Sequence, residues 1–120
     1  MTPDELIQAY RQLALIYGEA TEEGDYKRGN KAQEDLLEIR RELRRPEHEH
    51  SRELLLRLLD DESLFVRLSA AIDALELAPK DGERVLAVIA TGPPGMVRHE
   101  AEMTLNLWRS GEFVVPWWEE

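Results

Sequence analysis

The stretch Leu54-Leu55-Leu56-Arg57-Leu58-Leu59-Asp60-Asp61-Glu62-Ser63-Leu64-Phe65-Val66-Arg67-Leu68-Ser69-Ala70 can be laid without a gap on residues 85–101 of the same chain. In that alignment Leu55 falls on Leu86, Val66 on Val97, Arg67 on Arg98 and Ala70 on Ala101. Leu54 meets Val85, Leu58 meets Ile89 and Phe65 meets Met96. Four identities at an offset of 31 residues are few, but each sits where a two-helix unit needs it. A lone helical hairpin cannot bury both apolar faces, so copies of it stack. Ala70, Ala71 and Ala74 are small enough to let the second helix of one unit lie close to its neighbour.

Outward from this repeat, the rest of the chain also reads as helix. Thr2-Pro3-Asp4-Glu5 has the residues of a capping box with proline at the first helical position. Leu6, Tyr10, Leu13, Tyr17 and Ala20 then recur at helical spacing to about Glu22. Gly24-Asp25 breaks and restarts the chain. A second helix points Tyr26, Ala32, Leu36, Ile39 and Leu43 at the core, and Pro46 ends it. These two helices predict an N-terminal hairpin over 1–45. Pro46-Glu47-His48-Glu49-His50 reads as a polar loop and Ser51 as the cap of a third helix. Ser63 would cap a fourth, giving repeat one over 51–78. Asp81 starts a fifth, Thr91-Gly92-Pro93-Pro94-Gly95 is a loop, and a sixth runs from about Met96 to Arg109, giving repeat two over 81–110. Residues 111–120 form a tail. The expected fold is all-α, about six helices in three stacked hairpins, in one domain spanning 1–120.

On the sixth helix Arg98, Glu102, Asn106 and Arg109 form a polar stripe. The same stripe shifted back reads Arg67, Ala71, Leu75 and Ala78. An interior unit would be apolar there and a terminal cap polar.

The motif Leu58-Leu59-Asp60-Asp61, a short turn, then Val66-Arg67 and Ala70-Ala71 to Ala74-Leu75 resembles HEAT and armadillo-type repeats. That resemblance implies a superhelix in which a turn acid, Asp60 or Asp61, hydrogen-bonds Arg67 or Arg98 across adjacent units. Thr91-Gly92 replaces the acidic turn in the second copy. Over nearly the whole chain the layout resembles small bacterial HEAT-like proteins catalogued as a domain of unknown function. The shared residues are Glu5-Leu6 with Tyr10, Gly24-Asp25-Tyr26-Lys27, Val66-Arg67, Ala101-Glu102-Met103-Thr104-Leu105 and Trp108-Arg109. The resemblance implies an association with polymorphic-toxin immunity and no catalytic residues.

Composition restricts the chemistry. The net charge is −10, with 12 acids and 8 bases in residues 1–50 and 13 acids and 7 bases in 51–120. Such a field repels nucleic-acid phosphates and favours a basic partner, although an acidic surface also simply keeps a protein soluble. Cysteine is absent, which removes disulfides and thiolate sites. No apolar run is long enough to span a bilayer, and the acidic N-terminus is unlike a signal peptide, so a cytoplasmic location away from membranes is expected.

Three constellations invite chemistry. His48 and His50 with Glu47, Glu49 and Glu53 carry imidazole and carboxylate, both zinc ligands, but lack the His-Glu-x-x-His spacing of a zincin. His99 has no nucleophile beside it in the sequence. Arg40, Arg41, Arg44 and Arg45 mix with Glu38 and Glu42 and read as a salt-bridged helix face. No metal, cofactor or catalytic residue is expected. Trp117-Trp118 would either fold back as a lid or anchor a partner. Helical phase turns Asp61, Glu62, Asp73, Glu76, Glu100 and Glu102 outward as candidate contacts.

The functional expectation is a monomeric or weakly dimeric protein-binding module. As an immunity protein it would occlude a cognate toxin domain, itself basic. An adaptor without a toxin partner is the alternative. A metal-dependent enzyme using the His48/His50 loop comes third.

Overall fold

The structure, a computed structural model, describes residues 1–113, so Trp117 and Trp118 lie outside the described residues. Among the described residues there are six α-helices and no strand: α1 (Pro3–Glu23), α2 (Tyr26–Leu43), α3 (Glu49–Arg57), α4 (Leu64–Leu77), α5 (Pro79–Ala90) and α6 (Met96–Arg109).

Local chemistry sets most of the boundaries. The Thr2 hydroxyl accepts from the Glu5 N–H at 3.1 Å while Glu5 accepts from the Thr2 N–H at 2.8 Å, a complete capping box at the start of α1. Gly24, at φ 74°, adopts the left-handed turn that ends α1, and the Asp25 carboxylate caps α2 by accepting from Arg28 N at 3.2 Å. Ser63 caps α4. The Arg52 guanidinium donates to the Leu43 and Arg45 carbonyls at 2.6 and 2.9 Å, occupying acceptors left over at the end of α2.

Several expected boundaries move. Residues 46–48 form a 3-10 turn, and α3 already begins at Glu49. Ser51 is therefore an interior position of α3, fully buried, and not a cap. Proline at the first helical position costs no hydrogen bond, so α5 starts at Pro79 and not at Asp81. Ala78 is then the only residue between α4 and α5. Tyr26, expected in the core, is 80% exposed because it is the first residue of α2, before that helix meets α1.

α1 packs along α2, α4 along α5, and α5 along α6; α1 also leans on α3 and α4. One core joins all six helices, with Leu6, Tyr10, Leu43, Leu55, Val66, Leu75 and Leu86 fully buried. The α4–α5 approach depends on small residues from both sides. A Cβ placed on Gly82 would stand 2.8 Å from the Ala71 carbonyl oxygen and 3.0 Å from Leu75 N. Along the polar stripe of α6, Glu102, Asn106 and Arg109 are exposed, while the positions 31 earlier include buried Ala71 and Leu75. Trp108 Nε1 donates to Glu83 Oε1 at 3.2 Å and ties α6 to α5. The molecule measures 38 × 31 × 28 Å, so six helices make a near-equant body rather than a long curved face.

The acid-to-arginine pairing differs from the one that the resemblance to HEAT and armadillo-type repeats implies. Asp61 receives Arg11 of α1, with Nε at 2.8 Å and Nη2 at 3.1 Å, and caps the turn by accepting from Ser63 N at 2.9 Å. Arg98 instead donates to the Gly92 carbonyl at 3.2 Å, the residue 31 positions after Asp61.

Candidate functional site

A groove of about 300 Å³ opens between α1, α2, α4 and α6. Its apolar lining includes Ala14, Leu36, Phe65, Leu68, Ile72, Met96, Val97 and Phe113. Gly18 of α1 lets Phe65 of α4 lie directly against that helix: a Cβ there would come within 2.3 Å of the Phe65 ring. Thr21, Glu22, Gln33, Arg40, Ser69, Glu100 and Thr104 bring polar atoms into the lining.

Ser69 and Arg40 belong to a polar cluster beneath this groove. The Tyr10 hydroxyl, completely buried, donates to Asp73 Oδ2, and Arg40 Nε donates to the same oxygen at 3.0 Å. Ser69 Oγ lies 2.8 Å from the Tyr10 oxygen and supplies the proton there, because the phenol proton is committed to Asp73. Asp73 is 1% exposed, and its Oδ1 has no hydrogen-bond partner among the described residues. Burial, then the neighbouring carboxylate, holds the Tyr10 phenol well above its ordinary pKa. Burial alone would loosen the Arg40 proton, but the Asp73 carboxylate and the Tyr10 oxygen outweigh it and hold that group above its usual value. The cluster joins α1, α2 and α4.

Glu100 faces the groove from α6. Among the described residues no cation lies within ion-pair distance of it. Burial raises its carboxyl pKa, and the field of Arg40 draws it partway back. A carboxylate in that position is poised to gain from an incoming cation.

The other acids turned outward by helical phase separate into distinct groups. Asp73 faces inward, a correction explained by the apolar width of α4, which is buried on most of its circumference. Asp61 is held by Arg11 with its side chain 12% exposed. Glu62 is 92% exposed at the turn, 3.9 Å from Arg11. Glu76 is half-buried on α4, and Glu102 is exposed and paired with Arg98 at 3.4 Å. Only Glu100 of the six lines the groove.

The histidine constellation is divided between two carboxylates. His48 Nε2 lies 2.9 Å from Glu42 and His50 Nδ1 3.2 Å from Glu53. Among the described residues no three of His, Asp and Glu are grouped as a metal ion would require. Of the arginine run, Arg40 turns inward to Asp73, while Arg45 pairs with Glu42 at 3.5 Å. The Arg40–Asp73–Tyr10 cluster was not anticipated. Its signal was a single acid in the run Ala70-Ala71-Ile72-Asp73-Ala74-Leu75, where an unpaired charge would be costly.

Among the described residues no helix is long and apolar enough to cross a membrane. The chain is similar in structure to the protein RPA1889 from Rhodopseudomonas palustris CGA009, known from a crystal structure. The TM-score is 0.85 at 26% sequence identity, covering 95% of this chain and 93% of that one. No curated protein matches it. With a family model matched over residues 4–108, the chain belongs to the family described as Domain of unknown function (DUF2019).

Proposed function

We propose that this chain is a protein-binding module, without catalytic function, that receives an apolar side chain flanked by a lysine or arginine from a basic partner. The observation that carries this reading is the apolar groove with Glu100 in its wall, with no ion-pair partner among the described residues. An apolar anchor would fill the space between Phe65, Leu68, Ile72 and Val97, and its basic neighbour would meet the glutamate. The net charge of −10 speeds and orients the approach of such a partner. Toxin neutralisation is the specific form suggested by the association of small HEAT-like proteins of unknown function with polymorphic-toxin immunity: the partner would be a basic toxin domain occluded by the bound chain.

The test is capture from the native cell with the parent protein and with Glu100→Lys. The parent is expected to retain a basic polypeptide in a stoichiometric complex that weakens with salt, and the variant to lose it. Equal capture by both proteins would sink the groove reading. For the toxin form, co-expression with the captured polypeptide should restore growth that the polypeptide alone arrests. Growth unaffected by that polypeptide would leave the adaptor alternative in its place.

A further inference from the structure

A second concavity, of about 330 Å³, lies on another part of the molecule and shares no lining residue with the groove. Arg67 of α4, Arg84 of α5 and Arg98 of α6 all line it, against one acid, Asp60. Its apolar part includes Leu64, Val85 and Val88, and Val88 is 65% exposed. Two of the arginines, Arg67 and Arg98, stand 31 residues apart and align in the sequence, and both line this one concavity.

These guanidinium groups are only partly used. Among the described residues no carboxylate lies within ion-pair distance of Arg67, and Asp61, whose carboxylate feels its field, is already held by two nitrogens of Arg11. Arg84 meets Asp81 only at 3.7 Å with both side chains more than half exposed, a weak pair. Arg98 spends one nitrogen on the Gly92 carbonyl and meets Glu102 at 3.4 Å. A concentration of arginines in a chain of net charge −10 opposes the general field of the molecule.

We propose that this concavity binds an acidic peptide segment in which an apolar side chain stands beside carboxylates. Guanidinium forks fit carboxylate geometry with two parallel hydrogen bonds. The apolar side chain covers Val88 and Leu64, which a bare phosphate would leave in water. A nucleic-acid strand fits less well, because the surrounding acidic surface repels its backbone. The site therefore takes the opposite charge to the one expected in the groove, and it does not depend on the groove's occupant.

The probe is a fluorescein-labelled peptide of alternating leucine and glutamate, titrated with the whole chain and followed by anisotropy. Saturable binding that weakens with salt is expected for the parent. Arg84→Gln and Arg67→Gln should each weaken it about tenfold, the loss of one charge-assisted pair. Glu100→Lys, in the other site, should bind the peptide no more weakly than the parent. A leucine–lysine peptide, which suits the groove instead, should bind Arg84→Gln no more weakly than the parent. Thermal melting of each variant establishes that it is folded. Arg84, more than half exposed, serves as the deciding position if Arg67→Gln melts early. Binding unchanged in folded Arg84→Gln would overturn the proposal. So would no binding by the parent, or binding of a labelled single-stranded oligonucleotide as tight as that of the peptide.

Discussion

At Asp73 a carboxylate sits in the middle of a helix, 1% exposed, with one oxygen shared by Tyr10 and Arg40. Removing the cation alone leaves the charge buried without compensation. Arg40→Met is therefore expected to cost about 3–5 kcal/mol in denaturant unfolding near neutral pH. Replacing both partners, as Arg40→Met with Asp73→Leu, should recover most of the loss, because an apolar pair needs no compensation. A double variant no more stable than the single one would contradict this account. Tyr10 gives a second dependence on pH. Its folded pKa is raised, so above about pH 10 the unfolded chain loses the phenol proton while the folded chain keeps it. The folded state then binds more protons, and stability must fall as pH rises through that range. A melting series from pH 8 to pH 11, in rough steps of one unit, should show the fall in the parent and a smaller one in Tyr10→Phe.

At the level of elements, the joint between α4 and α5 has no slack, since Ala78 alone separates them and Gly82 lies against the α4 backbone. Gly82→Ala pushes a methyl into the Ala71 carbonyl, and backbone cannot turn aside as a side chain can. A loss of about 1–3 kcal/mol is expected, measured by chemical denaturation, although alanine favours helix elsewhere. At the far end of the chain, Thr2→Ala removes one half of the capping box and should cost about 1 kcal/mol. The helices themselves were legible in the sequence because their signals are local: the Thr2–Glu5 box, the Gly24-Asp25 break, Ser63, and leucines at helical spacing. Boundaries near proline were less legible. Pro46 and Pro79 each begin a helical turn, although proline also ends helices, and spacing alone does not separate the two roles. Tyr26 was misread for a related reason, since the apolar stripe says which side of a helix is buried but not where along its length packing begins.

For the whole molecule, helix phase could not foresee which elements meet across long separations. Asp61 finds Arg11 from a separation of 50 positions, and Asp73 finds Tyr10 from 63. Helical phase turns both outward, and the repeat resemblance points Asp61 to Arg67 or Arg98; neither names a partner on α1. Glu100 was found in the sequence as one acid among six, and only packing of α6 beside α1, α2 and α4 makes it part of a groove. The long Tyr10–Asp73 contact also has a consequence for kinetics. The α1–α2 and α4–α5 pairs involve neighbours in sequence and close cheaply, whereas the contact between Tyr10 and Asp73 must first close the chain that separates them. It is expected to form after the folding barrier, so that Arg40→Met accelerates unfolding and barely slows folding in stopped-flow measurements, while Gly82→Ala slows folding. Equal slowing of folding by both variants would argue against that order. On this account the buried cluster works as a latch: it governs how long the native state lasts once formed, more than how quickly the chain reaches it.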